Sequence, residues 1–156
     1  MSEQEFTPSE LRWLAPSKAD HPARNAALAS YAAVLRKDRD AWLANFAEDG
    51  WIEDPVGPSI FDEQGNGHHG PEARAHFWDI TIATMSRFVF EIRDSFVSGD
   101  ECANVGTIYT TMPNGWTAAT DGVFVYKVDA EGKIVSLRAF WEMDRVLAGA
   151  TGPDAG

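Results

Sequence analysis

The stretch Phe88-Val89-Phe90-Glu91-Ile92-Arg93, interrupted by Ser98-Gly99-Asp100, opens a run of alternating apolar and polar residues that lasts to Met143. Its second leg runs from Cys102 to Met112, its third from Trp116 to Val128 and its fourth from Lys133 to Met143. A period of two is that of strands with one buried face. The breaks between legs, Pro113-Asn114-Gly115 and Asp129-Ala130-Glu131-Gly132, carry residues that accept the backbone of tight reversals. This half of the chain therefore predicts a meander of four antiparallel strands.

Upstream the period changes. Leu28, Tyr31, Ala32 and Leu35 recur at helical spacing after Pro22, a residue suited to a first helical turn, and predict a helix over Pro22 to Leu35. A second helix is expected behind Asp38 or Asp40 as N-cap, with Trp42, Leu43 and Phe46 as its apolar members and an end near Glu48-Asp49-Gly50. Trp51-Ile52-Glu53-Asp54-Pro55 reads as a short strand closed by its proline, and Val56 to Gly70 as loop with one brief strand near Ile60 and Phe61. A third helix opens at Gly70-Pro71-Glu72 and carries Ala75, Trp78, Ile82 and Met85 on one stripe, with Phe77 and Ile80 beside it.

A sheet with one apolar face needs a partner layer. The expected fold is α+β, a cone-shaped curved antiparallel sheet wrapped around three helices and enclosing an apolar pocket. Six Trp, nine Phe and three Tyr make the chain 12% aromatic, which suits a pocket wall for a flat ligand. Residues 21–148 of the 156 form one domain in this reading. Residues 1–20 are expected to be a flexible arm with one short turn through Leu11, Trp13 and Leu14, and the Gly/Pro-rich residues 149–156 a disordered tail.

Charge narrows the partners. Thirteen Lys and Arg against 24 Asp and Glu leave a net charge of −11, a field that repels phosphate backbones and anionic lipid surfaces. Neither a nucleic-acid nor a membrane partner is expected, and no apolar stretch reaches the roughly 20 residues of a membrane span. The polar, acidic opening lacks an apolar signal core, so the cytoplasm is the expected compartment. A single cysteine, Cys102, excludes an intrachain disulfide and reads as a packed residue. His68 and His69 are adjacent in a Gly-rich loop, and His76 follows on a helix; neighbouring side chains converge poorly, so neither a metal nor any other cofactor is expected.

Among polar residues Asp54 stands out, an acid at a strand end between Trp51-Ile52 and Pro55. Glu53 and Asp54 must point to opposite faces, so one of the two faces inward. A carboxyl group buried in apolar surroundings has a raised pKa and can take and return a proton at neutral pH. The plain alternative is a pre-proline residue capping backbone amides. Tyr31 offers a hydroxyl that either enters the pocket or sits satisfied in the core.

Three segments add a resemblance. Lys37 to Leu43 running into Phe46-Ala47-Glu48-Asp49 and Ile52-Glu53-Asp54-Pro55-Val56-Gly57, then His69-Gly70-Pro71-Glu72, then Val128 to Ile134 with Ala139-Phe140-Trp141, resemble the ketosteroid isomerases. These belong to the nuclear transport factor 2-like (SnoaL-like, polyketide cyclase-like) superfamily. The resemblance covers about Asn25 to Val146. It implies Asp54 as the proton-shuttling base and Trp141 as the tryptophan against it. The family's oxyanion-hole Tyr falls on Ser30, with Tyr31 next to it, and its oxyanion-hole acid falls on Phe124, so the sequence departs at both donors. Parity and the family pattern place Tyr109 on the pocket face with Thr107 and Thr111, opposite Thr120 and Gly122. Phe77 and Trp78 are expected as further pocket walls.

The resemblance implies a steroid delta-isomerase-like enzyme in which one carboxylate moves a proton on a flat hydrophobic, steroid-like or polycyclic aromatic molecule. Three alternatives stand beside it: a non-catalytic hydrophobic-ligand binder, a lyase, cyclase or dehydratase of the same superfamily, and a scaffolding module. A homodimer through the outer sheet face is the implied assembly.

Overall fold

The computed structural model describes residues 9–152. The four-leg meander forms as β4 (Arg87–Ser98), β5 (Glu101–Thr111), β6 (Thr117–Val128) and β7 (Ile134–Phe140), each antiparallel to the next. Three further strands extend it: β1 (Glu10–Trp13), β2 (Phe46–Glu53) and β3 (His68–His69). The sheet order is β1-β4-β5-β6-β7-β2-β3. β1 pairs parallel with β4 and β2 parallel with β7, so the curved sheet is mixed rather than antiparallel throughout. The cone-shaped α+β architecture expected from the sequence is the one observed.

Several boundaries move. The short turn expected over Leu11 to Leu14 is instead strand β1, because the free edge of β4 offers backbone partners that an isolated turn lacks. Residues 1–8 of the expected arm and 153–156 of the expected tail lie outside the described residues. Helix α2 (Arg39–Ala44) is capped by the Asp38 carboxylate, which accepts from the Ala41 amide, and stops five residues before Asp49. The chain turns straight into β2 there, since Ile134 donates its amide to the Asn45 carbonyl at 2.8 Å.

Helix α3 (Gly70–Ile80) gives way to a short 3-10 turn at Ile82–Thr84. A fourth helix, α4 (Met143–Gly149), continues where the sequence reading ended the sheet. Beyond it Thr151 bridges Thr117, with amide–carbonyl bonds of 2.9 and 3.0 Å. His68 and His69, read as loop, pair with β2 as strand β3.

Helix α1 (Pro22–Arg36) is the plug of the cone. The His21 ring accepts from the Ala23 amide at its start, and Lys37 ends it in the left-handed region at φ 55°. Its small buried residues Ala23, Ala26 and Ala27 let the helix sit close against the sheet, with Tyr31 and Val34 reaching further. Trp42 fills the junction of the helices, packed on Phe46, Phe77 and Trp78. In the middle of the sheet Gly106 faces both Ile92 and Gly122. At that point β4 bulges between Ile92 and Asp94, and a bulge bends its strand.

Candidate active site

Strand β2 delivers Asp54. Its neighbour Glu53 points outward, where its carboxylate accepts from Trp51 Nε1 at 3.0 Å and Arg138 Nε at 3.2 Å. Alternation then turns Asp54 inward. The next segment is pinned to the sheet by the Val56 amide, which donates to the Ala139 carbonyl at 2.9 Å. Two residues beyond Ala139, Trp141 donates its indole N–H to Asp54 Oδ1 at 2.6 Å. The other carboxylate oxygen has no partner among the described residues.

Asp54 lines a cavity of about 760 Å³ between α1, α3 and the concave face of the sheet. Its walls include Val34, Phe77, Ile80, Phe88, Phe90, Ile108, Phe124 and Leu137, so the chamber is overwhelmingly apolar. The mouth is framed by Ile60 and Phe61 of the loop, Met112 and Trp116 of the β5–β6 hairpin, and Met143, Val146 and Leu147 of α4. Asp54 is half-buried, and the surface it keeps faces this chamber. Burial disfavours its charged form and raises its pKa from 3.8 to about 6, against the opposing pull of the Trp141 hydrogen bond.

Opposite parities decide which hydroxyls enter. Thr120 faces the cavity, so its cross-strand partner Ile108 does too. Tyr109, one residue on, must therefore face outward, and it does, 37% exposed and paired with Ala119. The expectation that Tyr109, Thr107 and Thr111 line the pocket is corrected: Thr107 bonds Asp121 and Arg93 on the outer face. Gly122 shares the inward parity of Thr120 but leaves no side chain there. Trp78 is also corrected, because it packs against Trp42 behind the wall while Phe77, one position earlier on α3, lines it. Tyr31, Phe124, Phe77, Thr120 and Trp141 all line the cavity.

The residue that sequence reading missed is Tyr126. It lies two positions after Phe124 on the same face of β6 and also lines the cavity. Its hydroxyl interacts with those of Ser30 and Tyr31. Parity with Phe124 was the signal that could have found it. Tyr31 is buried at the same place, its hydroxyl accepting from Asn104 Nδ2 at 2.9 Å. Burial raises the pKa of both tyrosines, so both remain protonated donors. Ser30 lines the wall beside them and accepts from Trp42 Nε1 at 3.1 Å.

The histidines serve the frame. His69 stacks on Trp51 and its ring bonds the Asn66 carbonyl at 2.8 Å, and His68 packs on Phe77. Among the described residues no three His, Cys, Asp or Glu side chains converge as a metal site would require. No helix among the described residues is long and apolar enough to cross a membrane.

The chain is similar in structure to several solved proteins. RV0760c from Mycobacterium tuberculosis, in complex with estradiol-17β-hemisuccinate, is 34% identical over 85% of this chain and 99% of its own, with a TM-score of 0.76. A Δ5-3-ketosteroid isomerase from Mycobacterium sp. is 36% identical over 85% of this chain and 98% of its own, with a TM-score of 0.77. A computationally designed 17-OHP binder is 33% identical over the same shares, also at 0.77. No curated protein matches the chain. The SnoaL-like domain model matches residues 27–137, which hold both Asp54 and the tyrosine cluster. With that match and these relatives, the chain belongs to the SnoaL-like family of the nuclear transport factor 2-like superfamily.

Proposed function

We propose that the protein is a cofactor-independent enzyme of the steroid delta-isomerase type, acting on a flat, hydrophobic, carbonyl-bearing molecule held in the cavity. One observation carries this reading: a carboxylate with its pKa raised to about 6, fixed by Trp141, in a largely apolar chamber. A base of that pKa is ionised at neutral pH yet can hold a proton between two transfers.

In the reaction, Asp54 takes a proton from the carbon between a ring carbonyl and a carbon–carbon double bond. The C–H electron pair moves into conjugation and the carbonyl oxygen gains negative charge as a dienolate. Tyr31 donates a hydrogen bond to that oxygen. The proton then returns from Asp54 to the far end of the dienolate, and the carbonyl reforms. Phe77 and Phe124 supply flat apolar surface for the rings. The similarity to a Mycobacterium ketosteroid isomerase and to a protein bound to an estradiol derivative supports the substrate class.

A binding protein without catalysis is the second reading, and Phe124 and Ser30 favour it. They put a ring and a small hydroxyl at the positions that carry the isomerases' oxyanion donors. Asp54→Asn distinguishes the two. A catalytic Asp54 loses about 10²–10⁴-fold in turnover of a 5-ene-3-ketosteroid, while the steroid's affinity stays within about threefold. Turnover that survives the substitution removes Asp54 from the chemistry. Tight binding with no turnover in either form establishes the binder.

A further inference from the structure

Behind the cavity wall lies a buried polar chain that the reaction above does not use. Arg24 is 3% exposed and has no carboxylate partner among the described residues. Its Nε donates to Ser95 Oγ at 3.1 Å, Nη2 to the Ser95 carbonyl at 3.2 Å and Nη1 to the Ala19 carbonyl at 2.9 Å. Ser95 Oγ meets Cys102 Sγ at 3.6 Å, Cys102 Sγ meets Asn104 Oδ1 at 3.2 Å, and Asn104 Nδ2 meets Tyr31 Oη at 2.9 Å. Asn104 and Cys102 are fully buried. The chain thus runs from the base of the cone to the hydroxyl on the cavity wall.

Its direction follows from its first member. A guanidinium only donates, so Ser95 Oγ accepts from it and turns its own proton toward Cys102. The thiol proton then goes to Asn104 Oδ1, and the amide NH₂ to Tyr31. Tyr31 accepts from Asn104 and keeps one proton, its own, for the cavity.

We propose that Arg24, Ser95, Cys102 and Asn104 are positioning residues that make Tyr31 an obligate donor, so that the site selects ligands presenting a bare acceptor oxygen, a ketone or enolate, at that point. This rests on the proposed cavity function and specifies its ligand class. A buried guanidinium without a counter-charge at the far end gives each bond in the chain the same polarity, and aligned hydrogen bonds strengthen one another.

The test uses 5α-androstan-3-one, its deoxygenated parent 5α-androstane, and the full chain. The ketone binds about fivefold more tightly than the hydrocarbon, and its carbonyl stretch in the infrared moves to lower frequency on binding. Asn104→Leu abolishes most of that shift and the fivefold preference without weakening androstane. Cys102→Val reduces the shift and Cys102→Ser, which keeps a donor, restores it. Binding in which the carbonyl stretch matches the ketone in an apolar solvent, or in which Cys102→Val and Asn104→Leu leave it unmoved, overturns the donor chain and leaves the cavity reading standing. Failure of both molecules to bind the wild-type chain overturns the cavity reading and this ligand class with it.

Discussion

Asp54 is held in an environment that costs the fold stability and suits a base. Its ordinary pKa is 3.8 and its folded value about 6. Below about pH 3 the carboxyl is protonated in folded and unfolded chains alike and nothing is lost. As pH rises from 3 to 6 the unfolded chain ionises first, so stability falls, and above 6 the full deficit remains. Two pKa units correspond to about 2.7 kcal/mol, and the group's partial exposure reduces this to about 2 kcal/mol. Asp54→Asn is therefore expected to stabilise the protein by about 2 kcal/mol at pH 7.5 and by no more than about 0.5 kcal/mol at pH 4, read from urea unfolding at the two pH values. A stabilising substitution at a reactive group is the usual mark of a site kept for function. Turnover in the wild type should rise as pH passes 6, when Asp54 ionises, and initial rates across pH 5–8 check this. The residue was legible in the sequence because its chemistry is local: an acid at a strand end beside a proline. Tyr126 was not, because its value lies in the hydroxyls of Ser30 and Tyr31, brought to it from another element.

At the scale of elements the sheet's curvature decides what a side chain meets. A Cβ at Gly106 would stand 2.0 Å from the Glu91 carbonyl oxygen, on the strand that bulges opposite it. Backbone cannot swing aside as a side-chain end can. Gly106→Ala is expected to cost about 3 kcal/mol and to flatten the sheet at the bend, with the loss measured by urea unfolding. The helices and the meander were readable from their periods, 3.6 and 2, since periodicity records which face is buried. Strands β1 and β3 were not, because each consists of a few residues whose only reason to be extended is a neighbour's free edge. The phase of β5 escaped for a related reason. Apolar and polar residues lie on both of its faces, so only pairing with β6 tells that Ile108 points in and Tyr109 out.

For the molecule as a whole, the mouth of the cavity carries half of the exposed large apolar residues among the described residues. Ile60 is 76% exposed, Leu147 62%, Trp116 46% and Met112 38%, and all four belong to the cavity rim. They arrive from a loop, a hairpin and α4. The α4 segment is strapped to the hairpin by the Thr117–Thr151 bridge and by an ion pair between Arg145 and Asp121 at 3.9 Å. Apolar surface left in water across an opening is placed to gain on ligand binding. Leu147→Ser should leave the stability of the free protein within about 0.5 kcal/mol and weaken 5α-androstan-3-one about threefold by the loss of buried apolar area. Calorimetric titration of the ketone and urea unfolding of the free variant check the two halves of this.

By itself the sequence determined the order of helices and strands, the apolar character of the interior and the acid at the end of β2. These are set by patterns within one segment, where burial leaves its period on the chain. Only the tertiary structure decided that Glu53 faces Arg138 while Asp54 faces the cavity, that Tyr109 is outside and Tyr126 inside, and that a buried arginine stands behind Tyr31. Each of these depends on strand register or on contacts between distant elements, such as the 71 residues separating Arg24 from Ser95. A shift of one residue in pairing exchanges the two faces of a strand, and nothing within the strand itself opposes that exchange.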